Sequence, residues 1–153
     1  MAADRTIIGL ISDTHGLLRP EAAAALRGCS RIIHAGDVGE GVLEQLQRIA
    51  PTTAVRGNTD MGLWAAKLRM TEQLEVSGYA FHVVHDLAGF PQIPSGVDVV
   101  VHGHSHRWSC SEEDGVWYIN PGSAGPRRFG LPITLGLLII EGPDLHVERI
   151  EID

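Results

Sequence analysis

At 153 residues the chain has the length of one ordinary domain, which buries roughly two thirds of the surface its unfolded form exposes; residues 1–153 are therefore expected to be a single domain. A composition that is 44% apolar and 20% charged is globular rather than disordered or fibrous. The net charge of −7 and the shortness of every apolar run argue against a nucleic-acid coat and against a membrane-spanning protein.

The predicted elements begin with a β-rich apolar run, Thr6–Ile11, which ends in Ser12-Asp13. An Ala-rich helix, Pro20–Arg27, follows with proline in its first turn. Arg31–Ala35 (strand), Val42–Ile49 (helix, apolar at 42, 43, 46 and 49) and Thr52–Val55 (strand) repeat the pattern, so the first sixty or so residues read as a βαβαβ unit with parallel strands. Gln73–Val76, Tyr79–His85 and Val97–His102 are strand-like with little helix between them. Residues 107–119 predict a hairpin around Glu113-Asp114-Gly115, and Ile133–Ile140 with Leu145–Ile150 another around Gly142-Pro143-Asp144. The fold class expected is α/β, with two mixed β-sheets packed face to face and helices outside. The segment Asp86–Gly96, with two prolines and two glycines, is expected to be a mobile loop.

Met1–Thr6 shows no basic segment followed by an apolar stretch, so no secretory signal is expected and the cytoplasm is the expected compartment. Cys29 and Cys110 fit neither a disulfide framework nor a CxxC site. Eight histidines in so short a chain stand out, because imidazole is the commonest protein metal ligand.

Their positions carry the functional signal. Three predicted strands end in a glycine followed at once by a metal-competent side chain, Gly36-Asp37, Gly57-Asn58 and Gly103-His104, and the first ends in Asp13-Thr14-His15. Glycine allows a sharp exit from a strand, so that the next side chain reaches over the carboxyl edge of the sheet, where open α/β sheets bind ligands. In an extended segment positions i and i+2 face the same way, which pairs Asp13 with His15 and His104 with His106. With His85, at the end of another strand, the donors number seven: Asp13, His15, Asp37, Asn58, His85, His104 and His106. They exceed a four-ligand zinc site, suit two ions with one carboxylate between them, and, lacking thiolate, favour Mn first among Mn, Fe, Ni and Zn over Ca or Mg.

The order Asp-x-His, Gly-Asp, Gly-Asn, His, Gly-His-x-His resembles the calcineurin-like metallophosphoesterases, and Asn120-Pro121-Gly122-Ser123 resembles their small bacterial and archaeal phosphodiesterase branch. The likeness runs from about residue 7 to the last hairpin. It implies a four-layer αββα sandwich and two divalent metal ions, one held by Asp13, His15 and His106, the other by Asn58, His85 and His104, with Asp37 bridging. It further implies phosphoester hydrolysis by in-line attack of a metal-bridging hydroxide, with Asp37 and Asn58 as the catalytic residues. Asn58 and Arg127 are the expected phosphate contacts, since an amide N–H and a guanidinium fork both suit phosphoryl oxygens. His34 and Asp60 are expected to support the ligands rather than to bind metal.

Two positions depart from the family pattern. Thr59 stands where many members carry a histidine thought to protonate the leaving group, and Thr cannot donate a proton near neutral pH. Asp86 stands where glycine usually follows the histidine in this branch. His34, His82, His102 and His146 read as strand residues, Trp64 with Met61 and Leu63 as a substrate rim or as packing, and Asn120–Ser123 as a turn bracing the site. A phosphodiesterase is expected ahead of a phosphomonoesterase, because a diester carries less charge and this chain offers few basic clamps. A non-catalytic scaffold, as in one eukaryotic branch with an impaired metal site, is disfavoured by seven intact donors. The expected partner is a small phosphoester; neither a membrane nor long nucleic acid is expected, and a homo-oligomer is compatible with the sequence.

Overall fold

The computed structural model describes residues 5–152; residues 1–4, which belong to the start read above, and residue 153 of the expected domain lie outside them. In chain order the main elements are β1 (Arg5–Ile11), α1 (Pro20–Leu26), β2 (Arg31–His34), α2 (Val42–Gln47), β3 (Thr52–Ala54), β4 (Thr71–Val76), β5 (Tyr79–Val84), β6 (Val99–Val101), β7 (Trp108–Glu113), β8 (Val116–Pro121), β9 (Thr134–Glu141) and β10 (Asp144–Glu151). The strands form two five-stranded sheets, ordered β10-β9-β1-β2-β3 and β4-β5-β6-β8-β7. Both are mixed. In the first, β1, β2 and β3 are parallel and β9 and β10 antiparallel to their neighbours; in the second, β5, β6 and β8 are parallel, with β4 and β7 antiparallel at the edges.

Alternation along the strands builds the core. Ile8 and Leu10 of β1 and Ile33 of β2 meet Phe81 and Val83 of β5, Val99 and Val101 of β6 and Ile119 of β8 between the sheets. The opposite face of the first sheet, with Ile11 and Ile32, packs on Ala22 and Leu26 of α1 and on Val42, Leu43 and Leu46 of α2. Gly9 permits this approach, since a Cβ there would collide with the Leu26 side chain. Each large apolar side chain so buried contributes about 1.5–3 kcal/mol.

The α/β class and the face-to-face mixed sheets agree with the sequence expectation. The two outer layers of the sandwich are unequal. α1 and α2 cover the first sheet, whereas the second is overlain by the 86–96 loop, in which no described residue is helical. Pro91 and Pro94 remove amide donors there, and Gly89 and Gly96 favour turns, so a helix has no continuous segment in which to form. The hairpins turn at Asp114-Gly115 and at Gly142-Pro143, with positive φ at Asp114, Gly115 and Gly142. β6 is shorter than the run Val97–His102, although both its flanks stay tied to the neighbouring strands: the Asp98 N–H donates to the Ala80 carbonyl, the Asp98 carboxylate accepts the Ala80 N–H, and the His102 N–H donates to the Ile119 carbonyl.

Candidate metal centre

All seven donors stand just beyond the carboxyl ends of strands: Asp13 and His15 after β1, Asp37 after β2, Asn58 after β3, His85 after β5, His104 and His106 after β6. The structure brings five of them into close quarters. Asp13 Oδ1 lies 3.4 Å from His106 Nε2 and 3.9 Å from both His15 Nε2 and His85 Nε2. Asp37 Oδ2 lies 3.3 Å from His85 Nε2 and 3.8 Å from His15 Nε2. Among the described residues two three-residue groups could each hold a cation: Asp13 with His15 and His106, and Asp13 with Asp37 and His85. Asp13, expected on one side only, therefore belongs to both groups, whereas Asp37, expected between the ions, belongs to one and reaches the other only through the 3.8 Å approach of its Oδ2 to His15 Nε2.

Asn58 and His104 form the exposed rim. Asn58 Oδ1 is 3.0 Å from His85 Nε2, and the His104 ring meets the His85 ring edge-on with centroids 5.2 Å apart. His104 also donates its backbone N–H to Asp13 Oδ2.

Backbone conformation explains the convergence differently from the sequence. Among the described residues, five of the eight non-glycine residues with positive φ are candidate ligands, Asp13 (56°), His15 (48°), Asp37 (54°), His104 (75°) and His106 (65°). Such φ values are costly for residues with a Cβ and gather at functional sites. Asp13 with His15, and His104 with His106, are thus aimed by left-handed turns and not by the extended i, i+2 geometry expected. The glycines serve mostly as space. A Cβ on Gly57 would strike the Asp37 carboxylate and backbone N, one on Gly103 would meet Ser12 Oγ, and one on Gly36 would sit 2.6 Å from His85 Nδ1. Only Gly36 of the three is itself left-handed, at φ 104°.

The surrounding hydrogen bonds settle what each ligand atom can do. His85 Nδ1 faces the Ala35 carbonyl at 2.8 Å and must donate to it, which leaves Nε2 with its lone pair towards the two carboxylates. Asp13 Oδ2 accepts from Ser12 Oγ and from the His104 N–H, whereas Asp13 Oδ1, in a residue with no exposed surface, has no hydrogen-bond partner among the described residues; nor has His106 Nδ1. A buried carboxylate oxygen ringed by imidazole nitrogens is costly unless a cation satisfies it. His15 Nε2 and His106 Nε2 also face each other at 3.5 Å. The donor set of carboxylate oxygens and imidazole nitrogens therefore fits divalent metal, and neither cysteine is near it in the fold: Cys29 lies in the helix-side core and Cys110 on β7.

The electrostatics agree. Burial pushes the carboxyls up, but the His106 imidazole and the Ser12 hydroxyl outweigh it at Asp13, and the His85 imidazole with the Thr59 N–H outweighs it at Asp37, so both sit below the usual carboxylate range. Burial lowers the His15 pKa, and the Arg128 charge adds to that effect against the pull of Asp37. For His85, burial is overcome by Asp37 and Asp13, which raise its pKa.

His34 and Asp60 bind their neighbours rather than a ligand atom. His34 is fully buried; its Nδ1 accepts the Gly36 N–H, its Nε2–H donates to Thr14 Oγ1, and Thr14 donates on to the Val38 carbonyl. This chain ties the Asp13–His15 loop to the Asp37 loop. The Asp60 carboxylate accepts three N–H groups, from Val38, Gly39 and Gly57, and so joins the loops after β2 and β3. Asn120 Nδ2 donates to the Gly103 carbonyl and Ser105 Oγ, and Ser123 Oγ to the Asp13 carbonyl, so Asn120–Ser123 braces the loops from below. Arg127 is exposed and donates to the Leu131 carbonyl. His82 faces the outer side of the second sheet, away from this centre. Ser12 is not distinguishable in the sequence as a partner of Asp13, because nothing local marks a serine that orients a carboxylate.

Residues 7–142 match the model of the calcineurin-like phosphoesterase superfamily domain. The chain is 31% identical over 162 aligned positions to a probable metallophosphoesterase of Methanothermobacter thermautotrophicus, covering 94% of this chain and 91% of the relative. The chain therefore belongs to the calcineurin-like phosphoesterase superfamily. Among solved structures it resembles an archaeal phosphodiesterase (TM-score 0.79, 25% identity, 95% of this chain and 100% of the other). In fold it also resembles Vacuolar Protein Sorting 29 of Cryptosporidium parvum (TM-score 0.78, 16% identity, 96% of this chain and 98% of the other).

Proposed function

We propose that the protein is a phosphodiesterase dependent on two divalent metal ions, with Mn as the first candidate. The observation that carries the reading is Asp13 Oδ1, which has no hydrogen-bond partner among the described residues yet is enclosed by the Nε2 atoms of His15, His85 and His106 within 3.9 Å. Asp13, His15 and His106 would hold one ion and His85, with Asn58 and His104 at the rim, the other, with Asp37 between them. When bound, two such cations lower the pKa of a water nucleophile and neutralise phosphoryl oxygens. The protein's own part is to fix these donors: Ala35 sets the His85 tautomer, Ser12 and Thr59 orient the carboxylates, and His34 and Asp60 hold the loops in register. Asn58 can turn an amide N–H towards a phosphoryl oxygen, and Arg127 and Arg128 lie on the exposed segment that follows the Asn120–Ser123 brace.

A diester preference rests on charge. A monoester dianion calls for more cationic contacts than a diester monoanion, and the chain is net acidic. The fold shared with Vacuolar Protein Sorting 29 keeps a scaffold role as the second reading, and the intact donor set weighs against it. The test is to strip the metal, reload with Mn, Fe, Ni, Zn or Mg, and measure metal content and hydrolysis of bis(p-nitrophenyl) phosphate and p-nitrophenyl phosphate. Two equivalents of metal and faster diester turnover are expected. Faster monoester turnover would make the protein a phosphatase, and no metal-dependent turnover of either would leave the scaffold.

A further inference from the structure

β5 turns Phe81 and Val83 into the core between the sheets, which places His82 on the outer face of the second sheet. There His82 is only 3% exposed, yet neither ring nitrogen has a hydrogen-bond partner among the described residues. Buried polar groups are almost always paired, so an imidazole orphaned at both nitrogens points to a missing partner. Burial lowers the His82 pKa, so the ring is neutral, with one N–H donor and one lone pair.

The ring forms part of the wall of a cavity of about 640 Å³ between β4, β5 and the 86–96 loop. That volume falls within the range of small-molecule sites, about 300–1,000 Å³. Thr71 and Gln73 of β4 add a hydroxyl and a carboxamide beside His82, while Phe90, Pro91 and Ile93 of the loop supply apolar surface opposite. No residue lining the cavity carries a formal charge at neutral pH, so a phosphate or carboxylate would be buried there without a counter-ion. The sheet floor offers a donor and an acceptor side by side, and the proline-rich loop offers a face on which a flat ring can lie.

We propose that this cavity binds a small, uncharged, planar heteroaromatic molecule, a nucleobase or heteroaromatic amide, whose hydrogen-bonding edge pairs with His82 and Gln73 while its ring lies against Phe90 and Pro91. The proposal does not depend on the phosphodiesterase reading, because His85 turns towards Ala35 of the first sheet and His82 faces the other way.

The test titrates adenine and nicotinamide into the full-length protein labelled with ¹⁵N-histidine, with excess inorganic phosphate present to occupy the metal centre. Toluene, which lacks the polar edge, and benzoate, which is charged, are the comparison probes. The His82 ring signals should shift saturably with adenine or nicotinamide at an apparent Kd of about 1 mM or tighter, and both comparison probes should bind at least about tenfold more weakly. His82→Leu, with binding followed by calorimetry, should lose about tenfold or more in affinity. Phe90→Ala, at a residue 47% exposed and so tolerant of truncation, should lose affinity while His82 remains observable. The proposal is overturned if neither polar probe saturates, as expected for a cavity filled only by water, if toluene binds as tightly as adenine, or if both variants bind like the native protein.

Discussion

Asp37 accepts the Thr59 N–H on Oδ1 and turns Oδ2 towards both His85 and His15. Asp37→Ala removes a negative charge that faces both His85 and His15, proposed to stand between the two ions, and leaves the apolar layers untouched. Metal content should fall well below two equivalents and turnover by more than about 100-fold, with an unchanged far-ultraviolet spectrum; normal turnover with two retained equivalents would remove Asp37 from between the ions. His85→Ala is a narrower lesion, because the His15 and His106 nitrogens still face Asp13 Oδ1. It should cost one equivalent by metal analysis and keep the other. Thr59 makes a third case. A positioned acid contributes about 10²- to 10⁴-fold when the leaving oxygen is a poor one, and Thr59 offers none, so single-turnover rates for phosphodiesters should fall steeply as the leaving-group pKa rises. The Asp60 carboxylate, taken up by three N–H groups, is not available to orient a histidine placed at 59. A flat dependence would assign the proton to His104, the exposed imidazole beside His85, and take it out of the proposed metal ligands, since both His34 nitrogens are engaged and His102 borders a cavity on the outer face.

The strand-to-loop junctions are where several elements must fit at once. Gly57 follows β3, and a Cβ on it would meet both the carboxylate and the backbone N of Asp37, which follows β2. Gly57→Ala should therefore act in two ways. The chelator-treated protein should lose about 1–3 kcal/mol in urea denaturation, and its metal affinity should fall because the loop carrying Asp37 has to move. Native metal affinity in Gly57→Ala would show that the junction yields elsewhere. The loops at this edge are otherwise locked by His34, Thr14 and Asp60, so they carry positive φ at five candidate ligands on a rigid support. The 86–96 loop differs, with Asp86 holding only its own turn through the Gly89 and Phe90 N–H groups.

Acid stability links these junctions to the fold as a unit. Burial pushes the His34 pKa down from the ordinary 6.5 to about 4. Between those values the unfolded chain binds a proton at this site and the folded chain does not, so folding is favoured above pH 6.5 and loses that advantage as the pH falls towards about 4. The shift corresponds to about 3 kcal/mol for a fully buried group. Urea midpoints of chelator-treated protein should thus fall between pH 6.5 and 4, and fall less in His34→Gln, where the side chain cannot take up a proton. Burial lowers His15, His82 and His102 in the same direction, while the raised pKa of His85 opposes them. The difference between native and variant isolates His34; equal slopes would mean that it titrates normally in the fold.

The βαβαβ opening, the two sharp hairpins and the order of metal-competent residues at strand ends could all be read along the chain, because each depends on local periodicity or on neighbours in sequence. Gly36-Asp37 and Gly103-His104 show how far that reading reaches. The pairs mark the site, but the reason for glycine lies across the fold, in the His85 ring for Gly36 and in Ser12 and Asp13 for Gly103. Which donors share a space was equally non-local: Asp13 stands between both groups only because β1 lies centrally in its sheet and that sheet packs on the one carrying His85 and His106. The loop that replaces a helix over the second sheet, and the orphaned His82 beneath it, arise from packing between segments distant in sequence. Local pattern specifies which atoms can bind metal; distance, burial and the absence of other partners specify where a cation fits, and those quantities exist only once the two sheets have met.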